Sequence, residues 1–588
     1  MKIAKIFNTK TLFAALFAFV MAGCTNLDEQ VLDEVLGDDA SDPAGALAAA
    51  YDRLGDGTFT STGGMFAMNE MASDIALLPT RGSDWGDGGK WRAMHEFTWA
   101  PDNAIVNDNW DRLTNGITRS LTAVATINAS DAEQKTLMLA EAKGLLAFYM
   151  YHTIDLFGQT PYRDPLNLSA PVEFIPAGEA IDQLILDVEA IIPDLANSGE
   201  QNTHNGRFTK QAAYSLLASM YLNRAVYKDR YGSSFNFSEA AVSGSGTDMD
   251  RVIYYTSLII DSGDYSLESN YFKNFDIDNS GAPELVWAIT QEIDYNQHNG
   301  SNDLAYNTME RNQKCSPTNR GTNASCITPE FYATWEGNHN DPRFHRHYQY
   351  TDGTWFMNDG TDVSVPATSI VPGTSLPWFH FNRGLQEGLQ HGPKLLSSAS
   401  FEMVGDRIKV SPLVCEKSTT TPMDFTPALD FDNPTQAVHA QNQINRGVRC
   451  FKFEFDPEDG NGSGKVDIPL FRLGGIYTMR AEAYLRKGDA GNALADINIL
   501  RTSRTRESLY GNAAGTALTA IDMDVLFREI AFELYWEMWR RPQMVRFGKL
   551  EAAQPGSAKP ATQPFRRIFP IPQKVMDVTP GVTQNQGY

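Results

Sequence analysis

Apolar residues recur at helical spacing from Leu137 to Phe157, through Leu145, Leu146, Phe148, Tyr149 and His152, and Gly158 and Pro161 close the run. A period near 3.6 with a glycine and a proline just past its end predicts a helix that stops there. The same pattern predicts helices over Thr209–Tyr227 and Arg251–Ser262, separated by Ser233–Gly246, whose Gly/Ser content is that of a surface loop. Between residues 290 and 465 the periodicity fades. Gly, Asn, Pro, Thr and aromatic residues dominate, with short apolar runs such as Val448–Phe455, so long loops with small strands are expected. Loops of that length are uncommon unless they serve a function. Helical order is expected to resume at Pro469, where Tyr477, Ala481, Tyr484, Ala493, Ile497 and Leu500 take the offsets of a tetratricopeptide repeat with Gly488 at its turn. That spacing seats a large side chain on one helix over a small one on its neighbour, so helix pairs stack into a solenoid. A last amphipathic helix is expected over Ile521–Phe547, before a Pro-rich tail. The fold class is mainly α: an irregular tetratricopeptide-like solenoid with a large loop-rich insertion carrying short strands.

The first residues follow a different logic. Lys2, Lys5 and Lys10 introduce an apolar stretch, Thr11–Ala22, about half as long as the roughly 20 residues a spanning helix needs. The layout is that of a secretory signal over residues 1–23. Its end, Met21-Ala22-Gly23-Cys24, resembles the bacterial lipobox, in which the cysteine is lipidated and becomes the mature N-terminus. Residues 24–40 then read as lipidated Cys24 and an acidic tether containing Asp28, Glu29, Asp33, Glu34, Asp38 and Asp39. The formal charge is −23, and −26 once the three signal lysines are removed. Such a surface repels nucleic acid and anionic lipid, so the lipid itself must anchor the chain. It also tilts the expected ligand towards neutral molecules. Four further cysteines would enter an oxidising compartment. The local pairings Cys315–Cys326 and Cys415–Cys450 are expected as loop staples worth ~3 kcal/mol each, with free buried thiols as the alternative.

Several segments together resemble the SusD/RagB family of cell-surface glycan-capture lipoproteins. They are Ala140-Glu-Ala-Lys-Gly-Leu-Leu-Ala-Phe-Tyr149 with Asp155-Leu-Phe-Gly158, Gly206-Arg-Phe-Thr-Lys-Gln-Ala-Ala-Tyr214, and Pro469-Leu-Phe-Arg-Leu473 with Arg480-Ala-Glu-Ala-Tyr484. Arg528-Glu-Ile-Ala-Phe-Glu533, Trp539-Arg-Arg541, Phe569-Pro-Ile-Pro572 and Thr583-Gln-Asn-Gln-Gly-Tyr588 complete the set. The departures are Met21 where a leucine is commoner and Gln586 where a proline is usual. The resemblance implies one domain over residues 41–588, with about four helix pairs mainly within 41–290 and 466–550 and a variable ligand-binding region near 291–465. It further implies no catalysis, attachment to the outer membrane at the cell surface, and delivery of oligosaccharide, or in some relatives peptide, to a SusC-like TonB-dependent barrel.

The residues that could carry chemistry agree. Glu529, Glu533 and Glu537 fall at i, i+4 and i+8 beside Arg528, Arg540 and Arg541. Neighbouring arginines would hold such carboxylates ionised as structural ion pairs, whereas a glycosidase needs one raised into an acid facing a second. No catalytic residue is assigned. His339, His345, His347, His380 and His391 lack the spacing of a zinc site, and none is assigned. Asp430-Phe-Asp-Asn433 and Asp456-Pro-Glu-Asp459 offer oxygen ligands for a structural calcium without the full loop pattern. Aromatic residues are the stronger lead, because a neutral sugar presents a C–H ring face and a hydroxyl rim, and a flat platform with polar neighbours suits it. Trp85, Trp91, Trp99, Trp335, Trp355 and Trp378 lie outside the expected repeat helices. Trp85 stands out: Gly86, Gly88 and Gly89 free its backbone, while Arg81, Asp84 and Asp87 offer hydroxyl partners. Trp91, Trp335, Trp355, Trp378, Arg446 and Arg449 complete the candidate ligand contacts. The competing reading of each tryptophan is a plug in the core. The rival functions are peptide capture, glycoside hydrolysis and a purely structural scaffold.

Overall fold

The computed structural model describes residues 42–167, 169–201, 203–291, 303–429, 444–457 and 464–588. Cys24, the signal and the tether lie outside these residues, as do Asp430–Asn433, Glu458 and Asp459 of the two calcium candidates.

The α-helices are α1 (Pro43–Asp52), α2 (Lys90–Glu96), α3 (Ala104–Ala129), α4 (Lys135–Phe157), α5 (Ala177–Ile191), α6 (Lys210–Lys228) and α7 (Asp248–Ile260). After the insertion come α9 (Leu473–Arg486), α10 (Ala490–Ser503), α11 (Met523–Leu534), α12 (Arg540–Arg546) and α13 (Gln573–Val578); α8 (Pro329–Thr334) lies within it. From α3 to α7 each helix packs on the next, and α9 lies against α7, so the stack runs on across the insertion. Helix starts follow from their caps. The Asn103 side chain accepts from the Ile105 and Val106 amides, Thr209 caps α6, and Thr247 with Asp250 forms a reciprocal capping box that starts α7 at Asp248. Small residues set the close crossings. A side chain at Gly116 would strike the Tyr149 ring, and one at Gly144 would strike Phe208.

The segments that carry the family resemblance prove to be the packing code of this stack. Arg207 bonds Glu141 through two nitrogens at 2.8 and 2.7 Å, tying the segment that leads into α6 to α4. Gly158 ends α4 in the left-handed conformation at φ 71°. At the C-terminus, Asn585 donates to the carbonyls of Phe157 and Phe569, Gln584 brackets the backbone of Ile571, and the Tyr588 hydroxyl receives the Trp99 indole N–H at 2.7 Å. The tail is a clasp on the helical stack.

Pro469 lies in a strand, not at a helix start. Leu285–Ile289 and Ile468–Arg472 pair antiparallel immediately before α9, so the insertion leaves and returns at one place. It folds as short antiparallel pairs, among them His345–Arg346 and Arg449–Phe451 on either side of Arg383–Gln386. A separate core of Tyr350, Phe356, Trp378, Phe379, Phe401, Ile408 and Phe425 sits beneath them.

The expected last helix is broken. α11 ends at Leu534, and Trp536 and Met538 both take φ 67° before α12 begins. The reversal turns Trp536 into the core, with its ring 4.7 Å from Phe66, and brings Glu537 onto Lys452 and Arg472 at 2.6 Å each. The disulfides also fail to form. Cys315, Cys326, Cys415 and Cys450 are free and buried, because the strands set them against other partners: Cys326 against Leu77, Cys450 against Leu385 and Cys415 against Ser418. Burial pushes the Cys415 thiol up to about 12.

Candidate functional site

Trp85 sits on a tight turn. The Arg81 and Asp84 backbones exchange hydrogen bonds at 2.9 and 3.0 Å, Gly82 turns at φ 63°, and Trp85 itself is held at φ 60°. A left-handed tryptophan costs on the order of 1–3 kcal/mol and persists only where its surroundings fix it. The fixing contacts are visible: the indole N–H donates to the Thr322 carbonyl at 3.0 Å, and the ring meets Trp91 edge-on at 5.6 Å. The residue remains partly buried, packed against the core.

A rim of charged side chains from distant segments adjoins Trp85. Asp84 pairs with Arg311 at 3.0 Å and with Lys417 at 3.7 Å, while Glu416 lies 3.5 Å from both Arg311 and Arg320. Burial raises the pKa of the nearby Tyr306 hydroxyl, against the lowering effect of Arg320 and Arg311. The result is an aromatic plate edged by alternating donors and acceptors of both signs, which suits hydroxyls better than a single charged group. Sequence reasoning missed Tyr306, Arg311, Arg320, Glu416 and Lys417. Nothing in their weakly periodic segments marks them as neighbours of residue 85.

Arg81 and Arg449 are corrected from ligand contacts to supports. Both are buried. Arg81 donates to the carbonyls of Ala324 and Arg446 at 2.8 and 2.9 Å; Arg449 donates to Thr308 and Arg446 at 3.3 Å each and covers the Phe425 ring. Burial, then repulsion from Arg81, lowers the Arg449 pKa to about 9. Arg446 serves both through its carbonyl. Asp87 is exposed but occupied by the Trp91 indole N–H at 2.7 Å. Trp91 is itself buried and acts as the wedge beneath Trp85. Trp99 is buried as well, and Trp335 is fully so, stacked on Phe532 at 3.5 Å with their planes 9° apart. These three tryptophans are plugs. Trp378 is likewise buried, in the insertion's own core, and is corrected from a ligand contact to a support; it and the half-buried Trp355 line the wall of a cleft of about 330 Å³ elsewhere.

The carboxylate row is buried and consumed. Glu533 binds Arg343, Arg472 and Arg504 at 3.2, 2.6 and 2.8 Å, and Glu529 binds Arg343, Arg501 and Arg528. Burial alone would raise Glu533 and Glu284, but Arg504 and Arg472 hold both well below the usual carboxylate range. Of the three arginines expected there only Arg528 takes part; Arg540 grips Asp74 and Arg541 grips Asp155. None of these carboxylates is free to protonate a glycosidic oxygen. Among the described residues no group of three His, Cys, Asp or Glu side chains forms a metal site. His347 instead pairs with Glu507 at 2.7 Å, and His339 stacks on Phe344.

The pattern of the SusD family matches residues 283–588. The starch-binding protein SusD of Bacteroides thetaiotaomicron is 25% identical over 98% of this chain and 99% of that protein. A laminarin-binding SusD-like protein superposes with a TM-score of 0.60 at 16% identity, covering 93% of this chain and 99% of its own. Surface glycan-binding protein A from Bacteroides fluxus gives 0.61 at 16% identity over the same shares. At these identities the structural likeness is one of fold.

Proposed function

Because the chain belongs to the SusD family, we propose that it is a non-enzymatic surface lipoprotein that captures a neutral oligosaccharide at the Trp85 turn and passes it to a SusC-like barrel. The observation that carries this reading is the strained, partly exposed Trp85 beside the charged rim of Asp84, Arg311, Glu416 and Lys417. A sugar ring laid on the indole buries C–H surface against an aromatic face, and its hydroxyls meet donors and acceptors already fixed in a mutual network. Shallow binding of this kind suits a protein that must release its cargo. The relatives named for starch and laminarin support a glycan as the ligand. Anchoring would come from Cys24, since no described helix is long and apolar enough to cross a membrane.

Calorimetric titration of the purified chain lacking its signal, against a panel of neutral oligosaccharides, acidic oligosaccharides and peptides, tests the reading. Heat with at least one neutral oligosaccharide is expected. Binding confined to peptides would replace it with the peptide-capture alternative.

A further inference from the structure

The cleft that holds Trp355 and Trp378 is separate from the Trp85 turn and lies on the core of the insertion. Pairing of Tyr348–Gln349 with Trp355–Phe356 places Gln349 opposite Trp355 on a short hairpin at its mouth. Tyr348 and His380 stack at 4.0 Å with planes 7° apart, which makes a rigid plate in the same wall. The rim carries groups of both signs, each held by a hydrogen-bond partner. Arg383 is bonded to Asp276, His347 to Glu507, Arg346 donates to the Thr505 carbonyl at 3.2 Å, and Glu454 accepts from the Ile277 amide. Interleaved charges of both signs leave little net field to select an ion, yet present many oriented donors and acceptors. That is the chemistry of a site for a neutral, polyhydroxylated ring with an apolar face.

The two places are joined by backbone hydrogen bonds and then by aromatic side chains. The Thr322 carbonyl that receives the Trp85 indole belongs to a residue whose amide bonds Tyr306. The Tyr306 ring is 5.7 Å from Phe455, and Phe455 is 6.2 Å from Trp378 in the cleft. Tyr306 and Phe455 are both only half-buried. We infer that the cleft is a second sugar-binding site on the same track, so that one neutral glycan chain is gripped both at Trp85 and at Trp355. The inference rests on the glycan-capture reading and adds the length of ligand the protein selects. Two weak sites on one chain act together through effective concentration, so affinity climbs once the ligand spans both.

The test is a length series of one neutral glycan titrated into wild type, Trp85→Ala, Trp355→Ala and the double variant, each checked for its fold by circular dichroism and thermal melting. Trp355→Ala should leave the shortest bound oligosaccharide within about twofold of wild type and weaken the longest by about tenfold or more. Gln349→Ala, at an exposed position beside it, should show a smaller loss confined to the long ligands, and decides the matter if Trp355→Ala does not fold. Glycan binding by wild type that is unaltered by the cleft variants at every length overturns the second site and leaves the Trp85 reading standing. No glycan binding by wild type at any length sinks both.

Discussion

Trp85 and Trp335 are the same residue put to opposite uses. At Trp85 the backbone is forced left-handed, and the residue stays partly exposed. Trp335 lies flat on Phe532 with no exposure. Truncation should therefore separate them. Trp335→Ala should cost about 3–5 kcal/mol in chemical denaturation, as an emptied aromatic site does. Trp85→Ala removes one N–H···O bond and an edge contact but keeps the Cβ and so the strain of the turn, and should cost about 1 kcal/mol. The glycine-rich turn around Trp85 was legible in the sequence, because three glycines beside an aromatic residue signal a special backbone. Plug and platform were not separable for Trp91 and Trp335, since the outcome rests on Asp87 in one case and on Phe532, far along the chain, in the other. Arg81 and Arg449 misled for a related reason: a guanidinium that reads as a hydroxyl partner here satisfies buried carbonyls.

Elements were legible where one period ran unbroken. α4, α6, α7 and the α9–α10 hairpin follow from apolar spacing, and their cores confirm it: Ala481, Ala493, Ile497 and Leu500 are all fully buried. The break after α11 was not legible, because it is imposed by partners from other elements, Phe66 for Trp536 and Lys452 with Arg472 for Glu537. The buried network around α11 is the element most exposed to acid. Glu533 and Glu284 have folded pKa values depressed by Arg504 and Arg472, so the native state binds fewer protons than the unfolded chain below the ordinary value of 4.5. Their contribution is complete above that pH and is lost as pH falls below it. Glu70 acts in the opposite sense: burial raises it to about 7, so its contribution declines as pH rises from about 4.5 to 7. Glu533→Gln should destabilise by about 3–5 kcal/mol at neutral pH, because three buried arginines lose a shared anion. Its midpoint in a thermal melt should also fall less steeply below pH 4.5 than that of wild type. An equal slope would show that the network does not govern acid stability.

At the scale of the whole molecule, the strand pair at Leu285–Ile289 and Ile468–Arg472 lets a long insertion hang from a helical stack without breaking it. The insertion delivers Arg311, Arg320, Glu416 and Lys417 to the Trp85 turn, which precedes α3. The proposed recognition surface is thus split between segments far apart in the chain, which is why the helical stack could be read and the candidate site only in part. The family resemblance, carried by Arg207, Gly158 and the C-terminal clasp, marked the fold correctly because those residues are structural. Anchoring is expected to be a separate part: Cys24→Ala should still bind glycan in solution but fractionate away from the membrane and fail to incorporate labelled fatty acid. The most direct test of the central claim is the dissociation constant of Trp85→Ala for the oligosaccharide that wild type binds best, measured by calorimetry on protein whose melting temperature matches wild type. A loss of about tenfold or more is predicted, the ~1.4 kcal/mol equivalent of withdrawing one aromatic face from the ligand. An unchanged dissociation constant would contradict the account.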